Sequence, residues 1–389
     1  MSLLTCDLGG TNARLVLHLP TGAVHRVTER PSAHAGLGAL LRHFLSTAPA
    51  GAPAVFRAVL AVCGPTWDSG RKNESNNIPT WCAPGSAVSF HDASVLEAEL
   101  SWSPGTLSFL NDFEAIGHGI SSFLASSSLS GGGGGGGGAL DAPARLSAAP
   151  APPPSALALV VGAGTGLGAC ILAPGGSGSG DYAVFQSEAG MAAALQPHSE
   201  AEARLLAFLR RRLGSAHVEV EAVVSGPGIS ALLDWLCTAE ELAAAAAADG
   251  LQLDSETAAA VARASEEERP AVICAAAQSG EPLCLRACDL FLRFYGRWLG
   301  ACALSFLPFR GLFIAGGVLG KFAWRLPCLG ARAFADDPLL EAFLDQGPKM
   351  SNLVRRVPLW HVADEAAGLK GCAAVAAALV AGGSGGGSS

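Results

Sequence analysis

The chain has 389 residues, half of them hydrophobic, and a formal net charge of -8. That length is more than one small core holds and predicts two α/β lobes. The acidic balance without a basic stripe argues against a nucleic-acid partner, and no uncharged apolar run reaches the roughly 18 residues of a membrane span. The 11 cysteines include no CxxC pair, so nothing supports a zinc ribbon or a thioredoxin-type site. Many lie within apolar runs and read as reduced core thiols. No charged leader precedes Leu3-Leu4, and a cytoplasmic location is expected.

In chain order, residues 3–8 and 14–19 predict a β-hairpin around a glycine turn. Residues 55–63 predict a buried strand, 92–100 a helix and 106–110 a further strand. A second helix is expected from about Phe113 to near Leu124. Glycines fill 131–138, and a Pro/Ala-rich stretch runs on to Pro154. Such composition buries too little apolar area to offset its ordering entropy, so 125–155 is expected to be a disordered insertion, like the Gly/Ser tail 382–389. A strand at 156–161, a turn at Gly162–Gly168 and a returning strand at 169–173 follow. Helices are predicted at about 199–213, 229–247, 255–267 and 281–306. A strand at 311–315 stops at Gly316-Gly317, and a strand near 357–361 and a helix at 367–380 finish the chain. The expected division is a small α/β lobe, 1–111 completed by 367–380, and a large α/β lobe, 112–366, with a cleft between them.

Four segments carry candidate chemistry. In Asp7-Leu8-Gly9-Gly10-Thr11-Asn12, glycines allow close approach of backbone N–H groups to a phosphate; Thr11 adds a hydroxyl, and Asp7 suits a metal-bound water. The same segment also reads as an ordinary hairpin turn. Gly164-Thr165-Gly166, between two predicted strands, repeats the pattern. It also fits the loose dinucleotide fingerprint of a dehydrogenase, but that fingerprint needs a helix after the turn, and Ala169–Ala173 reads as a strand. Gly316-Gly317 leaves an open strand end on which a flat nucleoside could lie. In Asn111-Asp112-Phe113-Glu114, a carboxylate at a strand-to-helix junction reads either as a helix N-cap or as a general base.

Taken in order, these segments closely resemble the bacterial-type glucokinase family of the hexokinase/actin-like ATPase superfamily. The likeness rests on DLGGTN at 7–12, NDFEA at 111–115, GAGTGLG at 162–168, SGPG at 225–228, IAGG at 314–317 and Gly368-Leu-Lys-Gly371. It implies a two-lobed, ribonuclease H-like α/β fold with a central cleft, and transfer of a phosphoryl group from ATP to the 6-hydroxyl of glucose. By that resemblance Asp112 is the base. Asn111, Glu188, Glu221 and Asn77, or its neighbour Asn76, bind the sugar. Asp7, Gly9, Gly10, Thr11, Asn12, Gly164, Thr165, Gly166, Gly316 and Gly317 hold ATP, and Asp7 orients Mg²⁺ through water. Members of the family are often homodimers. One departure stands out: Met191 occupies the place of the family's sugar-binding histidine, and a methionine donates no hydrogen bond. That leaves a kinase for another hexose, or a sugar-binding sensor with weak turnover, as alternative readings.

Overall fold

The computed structural model describes every residue except 76–77, 85, 87, 127–139, 176–181, 193–194, 239–240, 242–251, 332–333 and 384–389. Its strands are β1 Ser2–Leu8, β2 Ala13–His18, β3 Val24–Glu29, β4 Val55–Val62, β5 Thr66–Trp67, β6 Lys72–Ser75, β7 Ser89–Asp92, β8 Leu107–Asn111, β9 Ala144–Arg145, β10 Ala158–Ala163, β11 Leu167–Pro174, β12 Tyr182–Ser187, β13 Gly311–Ile314 and β14 Leu359–His361. Two compact units result. The first comprises Met1–Ala142, Cys170–Glu188 and Asp364–Ser389; the second comprises Pro143–Ala169 and Ala189–Ala363. This differs from the expected division at Asp112. The helix Asp112–Ser126 packs on the C-terminal helix Ala367–Gly383, and that packing places it in the first unit.

The first unit is built on a five-stranded sheet of order β3-β2-β1-β4-β8. β1, β2 and β3 form an antiparallel meander, while β1, β4 and β8 run parallel. β4 is apolar on both faces, as a central parallel strand must be. Ala58, Leu60 and Val62 join a core with Leu4, Cys6, Leu8 and the helix residues Leu40, Leu41 and Phe44. Val59 and Ala61 point the other way, against Ala115, Cys372 and Ala376. The helix Leu37–Ser46, which carries Leu40, Leu41 and Phe44, was not among the expected elements.

The two helices on that second face approach closely through glycines. A side chain at Gly371 would collide with the Ala115 carbonyl oxygen and come within 3.0 Å of the Gly119 nitrogen. Backbone atoms cannot yield as a flexible side chain does, so Gly371→Ala is expected to cost about 3 kcal/mol by overpacking. A lowered midpoint of chemical denaturation with an unchanged slope checks this.

In the second unit β10, β13 and β14 are parallel, β9 closes the edge antiparallel to β14, and β11 starts beside β10 before its remainder passes to the first unit. Helices Glu200–Leu213, Gly226–Leu236, Ser255–Arg263, Arg269–Gln278 and Pro282–Phe306 supply most of the helical mass. The helix Arg269–Gln278 was not expected. The helix expected at 229–247 is Gly226–Leu236 in the described part, and 242–247 lies outside the described residues.

The expectation of disorder over 125–155 needs correction at both ends. Residues 125–126 belong to the Asp112–Ser126 helix, and 127–139 lie outside the described residues. From Leu140 the chain is built in: Leu140 and Leu146 are buried. Trp360 pairs with Arg145, and the Leu146 N–H donates to the Leu359 carbonyl at 2.9 Å. The edge of β14 supplies hydrogen-bond partners, and Leu140 and Leu146 supply burial. In the tail, 382–383 continue the last helix, and 384–389 lie outside the described residues.

Candidate active site

Parallel pairing brings three strand ends to one edge of the first sheet. Leu8 pairs with Val62, and Val62 with Asn111. Asp7, the Cys63–Pro65 loop and Asn111-Asp112 therefore share that edge, the carboxyl end of the parallel strands, where ligands bind in α/β sheets.

Adjacent residues divide the labour at the end of β8. The Asn111 side-chain oxygen accepts from the N–H groups of Phe113 at 3.0 Å and Glu114 at 3.2 Å, which caps the helix. Its Nδ2 donates to the Gly64 carbonyl at 3.1 Å. Asn111 is thus the structural residue of the pair. The Asp112 carboxylate shares the Phe113 N–H at 2.9 Å, while the Glu114 N–H goes to Asn111.

Two further amides hold this edge in place, and neither was singled out in the sequence. Buried Asn73 donates through Nδ2 to the carbonyls of Cys63 and Pro65, each at 3.1 Å, fixing the loop on which Asn111 leans. Gln186 on β12 accepts from the Thr66 N–H at 2.8 Å and donates to the Thr66 carbonyl at 2.5 Å. The clamp fixes β12 two residues before Glu188. An Asn or Gln in a short polar strand carries no local signal of such a partner.

The electrostatics concentrate on Asp112. Burial, then the neighbouring charge of Asp7, pushes its pKa up to about 7; Glu188 adds to the rise and the Phe113 N–H opposes it. Burial also raises Asp7, against the pull of Arg14 at 3.3 Å, and raises Glu188. Arg14 also reaches Glu365 at 3.3 Å. The charges of Asp7 and Glu188 thus both act on Asp112, which changes charge near neutrality, as a general base would.

Between β1 and β2, the Gly9 N–H closes the turn on the Asn12 carbonyl at 3.0 Å. Gly9 therefore shapes the turn, and Gly10 and Thr11 are the better placed to offer N–H groups. In the second unit the Gly164 N–H closes its turn on the Gly166 carbonyl at 2.7 Å, leaving Thr165 exposed. The Gly226 N–H donates to the Gly164 carbonyl at 2.9 Å, so the SGPG segment braces that turn. The Tyr295 hydroxyl accepts from the Ala163 N–H at 3.2 Å from below. Glu221 accepts from the Leu167 N–H at 2.6 Å and lies against Gly166.

β10 and β13 are neighbours, so Gly316-Gly317 emerges beside the same turn. Gly316 has φ of 88° and a side chain there would meet the Ala163 carbonyl at 2.8 Å, so only glycine fits. Gly317 is exposed with open space around it. Met191 ends a short 3-10 turn, and its carbonyl pairs with the His217 Nε2 at 3.2 Å. Of the expected residues, Asp7, Gly9–Asn12, Asn111, Asp112 and Glu188 belong to the first unit. Gly164–Gly166, Glu221, Gly316 and Gly317 belong to the second. Asn76 and Asn77 lie outside the described residues.

Among the described residues no three His, Cys, Asp or Glu side chains converge as direct metal ligands. Asp7 nevertheless fits a divalent cation held through water: it is a crowded carboxylate whose charge a cation would relieve. No helix among the described residues is long and apolar enough to cross a membrane.

The two mixed sheets and the glycine turns at their strand ends define a mixed α/β protein of the actin-like sugar-kinase class. The solved glucokinase of Balamuthia mandrillaris, in complex with glucose, covers 97% of this chain and 93% of its own, with a TM-score of 0.68 at 22% identity. The glucokinase family model matches residues 4–379, and the chain belongs to that family. A glucokinase of Photorhabdus laumondii is 27% identical over 95% of this chain and 94% of its own. One of Synechocystis is 31% identical over 54% of this chain; there the chain spans about half of the relative, 55% of its length.

Proposed function

We propose that the chain is a glucokinase, transferring the terminal phosphoryl group of ATP to the 6-hydroxyl of glucose with Mg²⁺. The observation that carries this reading is Asp112: a buried carboxylate at a strand end, beside the cap formed by Asn111, with a pKa of about 7. Asp112 accepts the proton of the 6-hydroxyl and aligns its oxygen for attack. Asn111, Glu188, Glu221 and Asn77 bind the other hydroxyls. Backbone N–H groups of Gly10, Thr11, Thr165 and Gly166 take phosphate oxygens, and the Gly316-Gly317 strand end accommodates the nucleoside. Asp7 would hold Mg²⁺ through water, and the ion would supply charge neutralisation on the phosphates. Family membership and the glucose complex of the Balamuthia relative support the choice of sugar.

The test is ADP release by purified protein with ATP and a panel of glucose, mannose and fructose. Glucose is expected to give the highest kcat/KM. Calorimetric binding of glucose without turnover would establish the sensor reading instead. Met191→His is expected to lower the KM for glucose about tenfold by restoring one hydrogen bond. An unchanged KM would remove Met191 from the sugar subsite.

A further inference from the structure

The helices Arg269–Gln278 and Pro282–Phe306 face each other across a short connection, and each contributes one thiol to their contact. The Cys274 and Cys288 sulfurs lie 4.0 Å apart. Cys288 is fully buried, whereas Cys274 is half-buried. We propose that these two thiols form a peroxide-sensitive pair whose oxidation to a disulfide weakens nucleotide binding. The proposal rests on the reading of the Gly164–Gly166 and Gly316-Gly317 segments as the ATP subsite.

The asymmetry of the pair suits stepwise chemistry. The Cys288 S–H donates to Cys274 and, together with the positive charge of Lys321, draws the Cys274 thiol down; Cys288 is held up by the same contact. The thiolate is the reacting species, so Cys274, the more accessible, reacts first. Its sulfur attacks one oxygen of hydrogen peroxide, the O–O bond breaks, hydroxide leaves, and Cys274 becomes a sulfenic acid. The Cys288 sulfur then attacks the Cys274 sulfur. The S–S bond forms, the S–O bond breaks, and the hydroxyl leaves with the Cys288 proton as water. Two thiols lose two electrons, and one peroxide becomes two waters.

A disulfide holds its sulfurs about 2.05 Å apart, so the contact must tighten by about 2 Å. The helix Arg269–Gln278 lies beside residues that neighbour both candidate nucleotide segments. Pro270, in its first turn, has its Cγ 3.7 Å from where a Gly226 side chain would begin, and Gly226 braces the Gly164 carbonyl. Near Cys274, Lys321 belongs to the 3-10 turn Leu319–Phe322, just after Gly316-Gly317. Phe322 in turn stacks on Phe291 of the long helix, with ring centroids 5.4 Å apart. A shift at the thiols is therefore delivered to both segments.

The test uses the full chain, reduced and then treated with hydrogen peroxide, beside Cys274→Ser and Cys288→Ser. Non-reducing peptide mapping by mass spectrometry is expected to recover a peptide linked through Cys274 and Cys288. The KM for ATP should rise about fivefold and return with dithiothreitol, while either serine variant keeps its KM. Recovery of the two cysteines unlinked, or an equal rise in Cys288→Ser, overturns the proposal. Absence of ATP turnover in the reduced protein counts against the kinase reading alone. The peptide map, with ATP affinity measured by calorimetry, then decides this one.

Discussion

Asp112→Asn is expected to fold, to bind glucose and ATP, and to lose about a thousandfold in kcat, within the range that one positioned base supplies. The substitution keeps the side chain's shape and an acceptor oxygen for the Phe113 N–H, but removes the proton acceptor. Asn111 still caps the helix, so the loss is chemical rather than structural. The pH dependence follows from the same residue. With a pKa of about 7, Asp112 is protonated in acid, so wild-type kcat/KM is expected to fall as the pH drops through about 7. The effect on stability has the opposite sign. A carboxyl whose pKa is raised by folding contributes stability below its unfolded value of 3.8 and loses that contribution as the pH rises through about 7. The Asn variant should therefore melt higher than the wild type at pH 8, and the advantage should vanish toward pH 4. A variant that is both more stable and nearly inactive separates catalysis from folding. Wild-type turnover by the variant would move the base elsewhere.

Glu221 is expected to give the second large effect, and two substitutions divide its roles. Glu221→Ala leaves the buried Leu167 N–H without this acceptor, at a cost of about 1–3 kcal/mol, and loosens the Gly164–Gly166 turn. About a hundredfold loss in kcat/KM for ATP is expected, with a raised KM for glucose. Glu221→Gln retains an oxygen for that N–H, so the KM for ATP should stay close to the wild type while the KM for glucose rises. Steady-state kinetics with each substrate varied in turn checks this. If both variants alter only the KM for ATP, Glu221 is a brace for the turn and has no part in sugar binding.

Much of the framework was legible because it is local. The continuous apolar run in β4 announced a buried strand, and the glycines after β1 and β10 announced turns between strands. Elements without a local signature were lost. The helix Arg269–Gln278 is short and alanine-rich, with Ile273 and Ala277 as its buried residues, so it lacks the broad apolar stripe that marks an amphipathic helix. The segment 140–155 reads as part of a low-complexity run, and its order comes from the edge of β14, more than 200 residues away in the chain.

The sequence by itself determined which residue types would stand at the strand ends: Asp7 and a glycine turn after β1, Asn111-Asp112 after β8, and the glycines at 164–166 and 316–317. Spacing and side-chain chemistry suffice for that, because a turn and a cap are made by neighbours. It could not decide between Asn111 and Asp112, since both are good cap formers. The Gly64 carbonyl, brought near by the pairing of β4 with β8, engages Asn111 and not Asp112. The raised pKa of Asp112 and the Gln186 clamp likewise arise only when distant segments pack, and the contact of Cys274 with Cys288 only when two successive helices do. Burial and proximity belong to the folded chain, and the local order of residues does not encode them.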